Sequence, residues 1–502
     1  MKLLIKITRT AGLILLLSLV LPAGMGVYLY RSGVMNLGGL NPKLAAELLR
    51  TEYNPFRTKT LTLKEAAQDT EELFASFERV HPDVSANIGK AEYEKLKAWT
   101  AQEVAKKAAG GKISVRDFAY ILYYSAAALG DGHTRIYWQY RPDRENVEKL
   151  FPPFIVDCRG GKFFIDSINH GLAGYELTAI NGMGFRVFIK PILDRIPAET
   201  AAYKGRGFTR MQHFWWDFTR LLAGAGELKL TLRGSDGKIT EKTLAPITLN
   251  EFTSLGRMTP SGAGGLNSDL RLFEKEKVAW LEYHNFINSK EEEAALDKIF
   301  REIKAAGFKD LVIDIRRNGG GSTNIGDFIF SYLTDKEFQQ VSRLVLKVSP
   351  EALRMNSYYE KYRDKLGQNV ELPRHPRKAE KKPEAFFDGK VRLLIGNDTF
   401  SSATDFAVTF RDYKLGEILG NETGGVPICF GEALPMKLRN SDIRYSISDK
   451  QFFSPKPRPG DDRRGVLPDV ELTDELLRQY RGDTRAFVMA RIARERKAEG
   501  AN

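Results

Sequence analysis

From about residue 270 the chain alternates apolar strand-like runs with amphipathic helical runs, and this alternation restricts the fold more than any other feature. KVAWLEYHNF reads as a strand, EEEAALDKIFREIKAAG as a helix and KDLVIDI as a strand. A helix begins near Thr323, VRLLIGN is a strand, a helix runs from Ser402 to about Tyr413, and GEILGNE is another strand. Strands separated by one helix each need crossover connections, so the pattern predicts an α/β core with largely parallel pairing. A polar, Pro/Lys-rich stretch at 345–388 breaks the rhythm and reads as an insertion. The final run, DELLRQYRGDTRAFVMARIARERK, reads as one helix that docks by an apolar stripe. The chain carries no internal repeat.

The first half is organised differently. LTLKEAAQDTEELFASFERV and FAYILYYSAAAL, between Leu61 and Leu129, carry apolar residues at helical spacing, with His81-Pro82 between them. Residues 150–250 read mostly as strands (FPPFIVDC, KFFIDSI, YELTAING, ELKLTLRG) punctuated by Gly160-Gly161 and Asp236-Gly237. The ELTAINGMG piece is reminiscent of a small PDZ module, although HFWWDF at 213–218 is too aromatic for an ordinary one. The predicted division is a leader at 1–33, a helical domain at 34–135, a β-rich region at 150–260, the α/β core at 270–475 and a terminal helix at 476–502.

Lys2, Lys6 and Arg9 precede the uncharged run AGLILLLSLVLPAGMGVYLY at 11–30. A basic start followed by about twenty apolar residues fits a secretory signal or a single membrane anchor. Either puts the remainder outside the cytoplasm, in the cell envelope or secreted, with the N-terminal segment touching membrane if it is not cleaved. The two cysteines, Cys158 and Cys429, exclude a disulfide framework. The formal net charge of +12 raises the question of a polyanionic partner. Its local excess lies in Arg374, Arg377, Lys378, Lys381 and Lys382, and in Arg485, Arg491, Arg494, Arg496 and Lys497. No nucleic-acid fold signature accompanies either cluster, so both read as solvated surface and no nucleic-acid partner is expected.

Three segments carry chemistry: GDGHT at 130–134, IDIRRNGGGST at 313–323 and NDTFSSATDF at 397–406. Each ends an apolar run with small or polar residues. They offer an imidazole (His133), a loop rich in backbone N–H groups (Gly319 to Gly321) and a hydroxyl at a strand-to-helix turn (Ser402). A base, an oxyanion cradle and a nucleophile are what acyl transfer requires. Each feature has a plainer reading as well. Ser402 with Asp405 is also a capping-box pattern, Ser401 and Thr399 compete with Ser402 for either job, and the glycines could make a bare turn. Phosphate binding fits poorly, since G-x-G-x-x-G is missing and no lysine follows the glycines. No histidine pair has metal-ligand spacing, so no metal site is expected.

Taken jointly, D-x-R-x-N-x-G-G (Asp314, Arg316, Asn318, Gly320, Gly321), S-A-T-D at 402–405, GNETGG and GVLPD at 465–469 resemble the tail-specific, or C-terminal-processing, serine peptidases. The resemblance runs from about 275 to 472, with GDGHT outlying. It implies a crotonase-like ββα spiral core, Ser402 as nucleophile, and Gly320 with the helix start at Ala403 as oxyanion donors. The lysine of the Ser–Lys branch is missing from GGVPICFGEAL. The chain is instead similar to the tricorn-like branch, which implies His133 as general base and Asp462, or its neighbour Asp461, as a late supporting acid. The serine that directly precedes the histidine in that branch is replaced by Gly132. The expected activity is peptide-bond hydrolysis with no metal or organic cofactor, acting on a protein or peptide substrate. The rival is a non-catalytic ligand- or peptide-binding protein on the same scaffold.

Overall fold

A computed structural model of the chain describes residues 59–137, 151–166, 171–209, 218–222, 226–248, 251–252, 255, 267–378, 382–480 and 482–500. The leader, residues 34–58 at the start of the expected helical domain, and residues 213–217 of the aromatic segment lie outside the described residues.

The predicted α/β core is present. Its six-stranded sheet runs in the order Ser268–Phe273, Val278–Tyr283, Asp310–Asp314, Lys390–Ile395, Glu417–Gly420, Val470–Glu471. The first pair is antiparallel and the remaining pairs are parallel. The central strands are buried on both faces, which is why they read as unbroken apolar runs. On one face Leu281, Leu311, Ile313 and Leu393 pack against Leu296, Phe300, Ile329, Phe406 and Phe410. These belong to helices Lys290–Ala305, Thr323–Leu333 and Ser402–Asp412. On the other face Val278, Trp280, Val312, Leu394 and Leu419 meet Phe487, Val488 and Ile492 of helix Thr484–Glu499. The terminal run is thus two helices and not one. Asp474–Arg478 ends before Gly482, which sits at φ 79°, and Asp483 caps the next helix by accepting from the N–H groups of Arg485 and Ala486.

The stretch expected to be an insertion is structured. Strands Arg343–Lys347 and Asn369–Pro373 join Arg444–Phe453 and Cys429–Lys437 in a second, antiparallel sheet. Leu344, Leu346, Val348, Ala352, Met355 and Tyr359 share one core with Leu73, Phe77, Phe118 and Leu122. The last four come from helices Leu63–Val80 and Val115–Ala128. These apolar positions are short runs between charged residues, so the polar average concealed them. Polar contacts reinforce the junction: Asp69 accepts from the N–H groups of Asn440 and Ser441 at 2.9 and 2.7 Å, and the Ser76 and Tyr445 hydroxyls lie 3.0 Å apart. The short strand Arg135–Ile136 then pairs with Arg444–Phe453, which carries the end of the helical half onto the sheet.

The middle region is a separate antiparallel sheet of Val156–Arg159, Lys162–Ile165, Glu176–Ile180, Leu228–Arg233 and Ile239–Leu244, with Met183–Gly184 paired to its central strand. Its core is rich in phenylalanine, including Phe151, Phe154, Phe163, Phe185, Phe208 and Phe218. Cys158 and Cys429 are both free and buried. Among the described residues no helix is long and apolar enough to cross a membrane.

Candidate functional site

The GDGHT turn is built around a buried carboxylate. Helix Val115–Ala128 stops at Leu129, and Gly130 turns the chain at φ 68°. Asp131, 1% exposed, then gathers the loop. One oxygen accepts from the His133 N–H at 2.9 Å, and the other accepts from the Thr134 N–H at 3.1 Å and the Ser448 hydroxyl at 2.6 Å. His81 Nε2 lies 3.3 Å from that second oxygen. Ser446 donates to the His133 carbonyl and the Ser448 N–H donates to Thr134 Oγ1. Strand Arg444–Phe453 therefore holds the loop from outside and fixes where the imidazole points.

The opposing hydroxyl belongs to Ser401, not to the expected Ser402. His133 Nε2 lies 3.1 Å from Ser401 Oγ, across 268 residues of sequence. Ser401 sits at φ 54°, ψ −133°, outside the regions open to ordinary L-residues, at the turn between strand Lys390–Ile395 and helix Ser402–Asp412. That bend turns its side chain out of the helix. Ser402, one residue on, is already helical and only 4% exposed; its hydroxyl has no hydrogen-bond partner among the described residues. Thr399 is committed to the turn: its hydroxyl donates to the Ile315 carbonyl and accepts from the Gly396 N–H. Phe400 stacks on the His133 ring at 4.7 Å between centroids, and Tyr203 stacks on Phe400 at 4.3 Å.

The glycine turn lies directly beneath Ser401. A Cβ at Gly320 (φ 100°) would come 2.7 Å from the Phe400 carbonyl oxygen, 2.8 Å from Ser401 Cβ and 3.1 Å from Ser402 N. Only glycine permits that approach. Buried Asn318 organises the turn, accepting from the Gly320 N–H at 2.9 Å and donating to the Tyr283 carbonyl. Both expected oxyanion donors are thus already engaged, Gly320 with Asn318 and the Ala403 N–H with the Phe400 carbonyl at 3.2 Å. The Ser402 N–H has no acceptor among the described residues. Asp314 and Arg316 of the same motif pair with each other, and Arg316 reaches Thr484 of the terminal helix, a structural use.

The late acidic residues are elsewhere. Asp462 is exposed and pairs with Arg463 at 3.3 Å. Asp461 is buried but accepts from the Arg458 N–H, Ser454 and Arg411. Neither contacts His133, because the 461–464 turn closes on its own backbone and on Arg411.

Sequence reasoning gave no role to two acids near the ring. Asp131 stood in plain view within GDGHT. Glu199, in the middle region, had no local signal. Its Oε1 accepts from the Gly132 N–H at 3.1 Å, and its Oε2 is buried without a partner. Burial pushes His133 down to about 4, against the opposing charge of Asp131. Burial also works to raise Asp131, but hydrogen bonding and charge from His81, with His133 and Ser448, hold it below the usual carboxylate range. Burial and the Asp131 charge push Glu199 up to about 8. One atom each from Asp131, His133 and Glu199 lie within 4.8 Å of one another. Both Asp131 oxygens already accept from protein donors.

Residues 277–472 match the sequence profile of Peptidase family S41. No curated protein sequence matches the chain. Among solved structures it is similar to mature CPAF complexed with lactacystin, at 14% identity and a TM-score of 0.58, covering 86% of this chain and 99% of that one. A mutant of CPAF gives the same identity and TM-score, with 83% and 94% covered. At this identity the likeness is one of fold.

Proposed function

We propose that the chain is a serine-type peptidase, as the match of residues 277–472 to Peptidase family S41 supports, with Ser401 as its nucleophile and His133 as its general base. The observation that carries this reading is the 3.1 Å approach of His133 Nε2 to Ser401 Oγ. In the proposed mechanism the Ser401 hydroxyl passes its proton to His133 Nε2 as Oγ attacks the scissile carbonyl carbon. The tetrahedral oxyanion is received by the Ser402 N–H, a donor of a kind worth roughly 3–4 kcal/mol when removed. The imidazolium then protonates the leaving amine. Water, deprotonated by His133, resolves the acyl-enzyme and restores the hydroxyl. The strained Ser401 backbone suits a nucleophile held at a strand-to-helix turn. The substrate is a protein or peptide. Export by the segment at 11–30 is part of this proposal, and cell fractionation with N-terminal sequencing of the mature chain tests it.

The decisive experiment separates the adjacent serines. Ser401→Ala is expected to lower peptide turnover by at least about 10⁴-fold, whereas Ser402→Ala stays within roughly tenfold of the parent. A fluorophosphonate should label Ser401 stoichiometrically, located by peptide mass spectrometry. Full turnover by folded Ser401→Ala sinks the assignment, and an unreactive folded wild type favours a peptide-binding protein on this scaffold.

A further inference from the structure

The Ser401–His133 pair is backed by a column of three stacked rings drawn from three parts of the chain. Phe400 lies on the face of the His133 imidazole, at 4.7 Å between centroids and 25° between planes. Tyr203 of the middle region lies on Phe400 in turn, at 4.3 Å and 7°. The hydrogen bonds of the imidazole act in its plane: Nε2 is 3.1 Å from Ser401 Oγ, and the Phe430 carbonyl is a further partner of the ring. Asp131 Oδ1, at 3.9 Å from Nδ1, is beyond hydrogen-bond reach. Such bonds leave the tilt of the ring weakly set, because the χ2 torsion of histidine is broad. A flat face packed against the imidazole supplies the missing restraint.

Glycines in two other loops make room for the column. A Cβ at Gly132 would come 2.7 Å from Phe400 Cζ, and one at Gly424 would come 2.5 Å from Tyr203 Cδ2. Phe400 and Tyr203 are both buried and form a small apolar cluster of their own with Ala198. Helix Ala201–Phe208 carries Tyr203 into place. Thr200 caps that helix, accepting from the Tyr203 N–H while donating to the Gly424 carbonyl at 3.1 Å. One turn on, Arg206 Nε donates to Asp398 at 2.6 Å, in the turn that leads into Phe400 and Ser401. The helix thus grips the nucleophile turn at two points, by a ring and by an ion pair.

We propose that Tyr203 is a positioning residue: through Phe400 it fixes the tilt of the His133 imidazole against Ser401, so that the middle region completes the site. This rests on the reading of Ser401 and His133 given above. The effect is on the alignment of base and hydroxyl, where a misplacement of about 1 Å costs on the order of a hundredfold in rate.

Tyr203→Leu removes the flat face and keeps an apolar side chain, whereas Tyr203→Phe keeps the face. In the full-length chain, fluorophosphonate labelling of Ser401 at saturating probe should slow on the order of a hundredfold in Tyr203→Leu. The half-saturating probe concentration should change less than about threefold, and Tyr203→Phe should label within about threefold of the parent. Proton–carbon NMR of labelled histidine reads the ring without any reaction, its signal assigned with His133→Gln. The Cε1–H proton of His133, shielded by the Phe400 face in wild type, should move toward the range of an unstacked histidine in Tyr203→Leu and stay in place in Tyr203→Phe. Arg206→Gln, at a partly exposed side chain, frees the same helix from Asp398 and should move rate and signal in the same direction. A His133 signal or a labelling rate that keeps its wild-type value in folded Tyr203→Leu overturns the proposal, as does an equal loss in Tyr203→Phe. If Tyr203→Leu does not fold, an unmoved signal in Arg206→Gln overturns it. Failure of wild type to label at Ser401 would remove the nucleophile reading, and the NMR result would still decide the role of Tyr203.

Discussion

Ser401 and Ser402 differ by one peptide bond and by everything that matters chemically. One occupies a left-handed conformation with its hydroxyl against an imidazole, and the other is a helical residue with its hydroxyl sealed in the core. Two residue-scale predictions follow from the surroundings of that pair. Gly320→Ala would force a Cβ into the Phe400 carbonyl and Ser401 at a φ of 100°. It is expected to cost about 1–3 kcal/mol in chemical denaturation, and to suppress labelling of Ser401 even where the fold survives. On the proposed mechanism, the depressed His133 sets the acid side of catalysis. A base pushed down to about 4 stays unprotonated well below neutrality, so kcat/KM should hold down to about pH 5, and not fall near 6.5 as for an unperturbed imidazole. The same shift acts on stability. Between the ordinary histidine value and about 4 the unfolded chain binds a proton that the folded site refuses, so this group's contribution is lost as pH falls through that window. A pH–rate profile with an acid limb near 6.5 would contradict the depressed imidazole.

At the scale of elements, the site depends on how the helical half is fastened to the second sheet. Helix Leu63–Val80 presents Asp69, fully buried, to the N–H groups of Asn440 and Ser441. The hairpin carrying those residues leads into strand Arg444–Phe453, whose Ser446 and Ser448 grip the His133 loop. Asp69→Ala leaves two N–H groups without their acceptor and is expected to destabilise the protein by about 2–3 kcal/mol, measured by urea unfolding. The short stretch Arg343–Lys347 through Tyr359 belongs to the same core, so removing the region that reads as an insertion should unfold the helical half and not merely trim a loop.

For the whole molecule, burial of acids decides the response to alkali. Burial pushes Asp405 up to about 7; burial, against hydrogen bonding from Tyr359, pushes Asp449 up to about 8. A carboxyl whose folded pKa is raised gives stability that is full below its unfolded pKa and lost as pH climbs through the folded value. The thermal midpoint should therefore decline from about pH 6.5 to about pH 8, and Asp449→Asn should flatten that slope. A midpoint that rises over this window would contradict the buried, neutral carboxyls. The terminal helix is the other global element. Phe487, Val488 and Ile492 cover one face of the central sheet, each side chain contributing about 1.5–3 kcal/mol by burial. Deleting residues from 484 onward should lower the midpoint and expose a dye-binding apolar face.

The alternating core strands, the helices between them and the three chemical segments were legible in the linear chain, because periodicity and glycine-rich turns are local properties of a few adjacent residues. His133 was legible for the same reason. Which of two neighbouring serines faces it was not, because that choice is made by one backbone dihedral pair at Phe400–Ser401 and by Gly320 pressing from another strand. Nor was the neighbour of the ring legible: the late aspartates sit in their own turn, while Glu199 reaches the site only because the middle sheet docks through Thr200 and Tyr203. Local pattern set the elements and their chemistry; long-range packing, which no short window of residues encodes, decided which atoms meet.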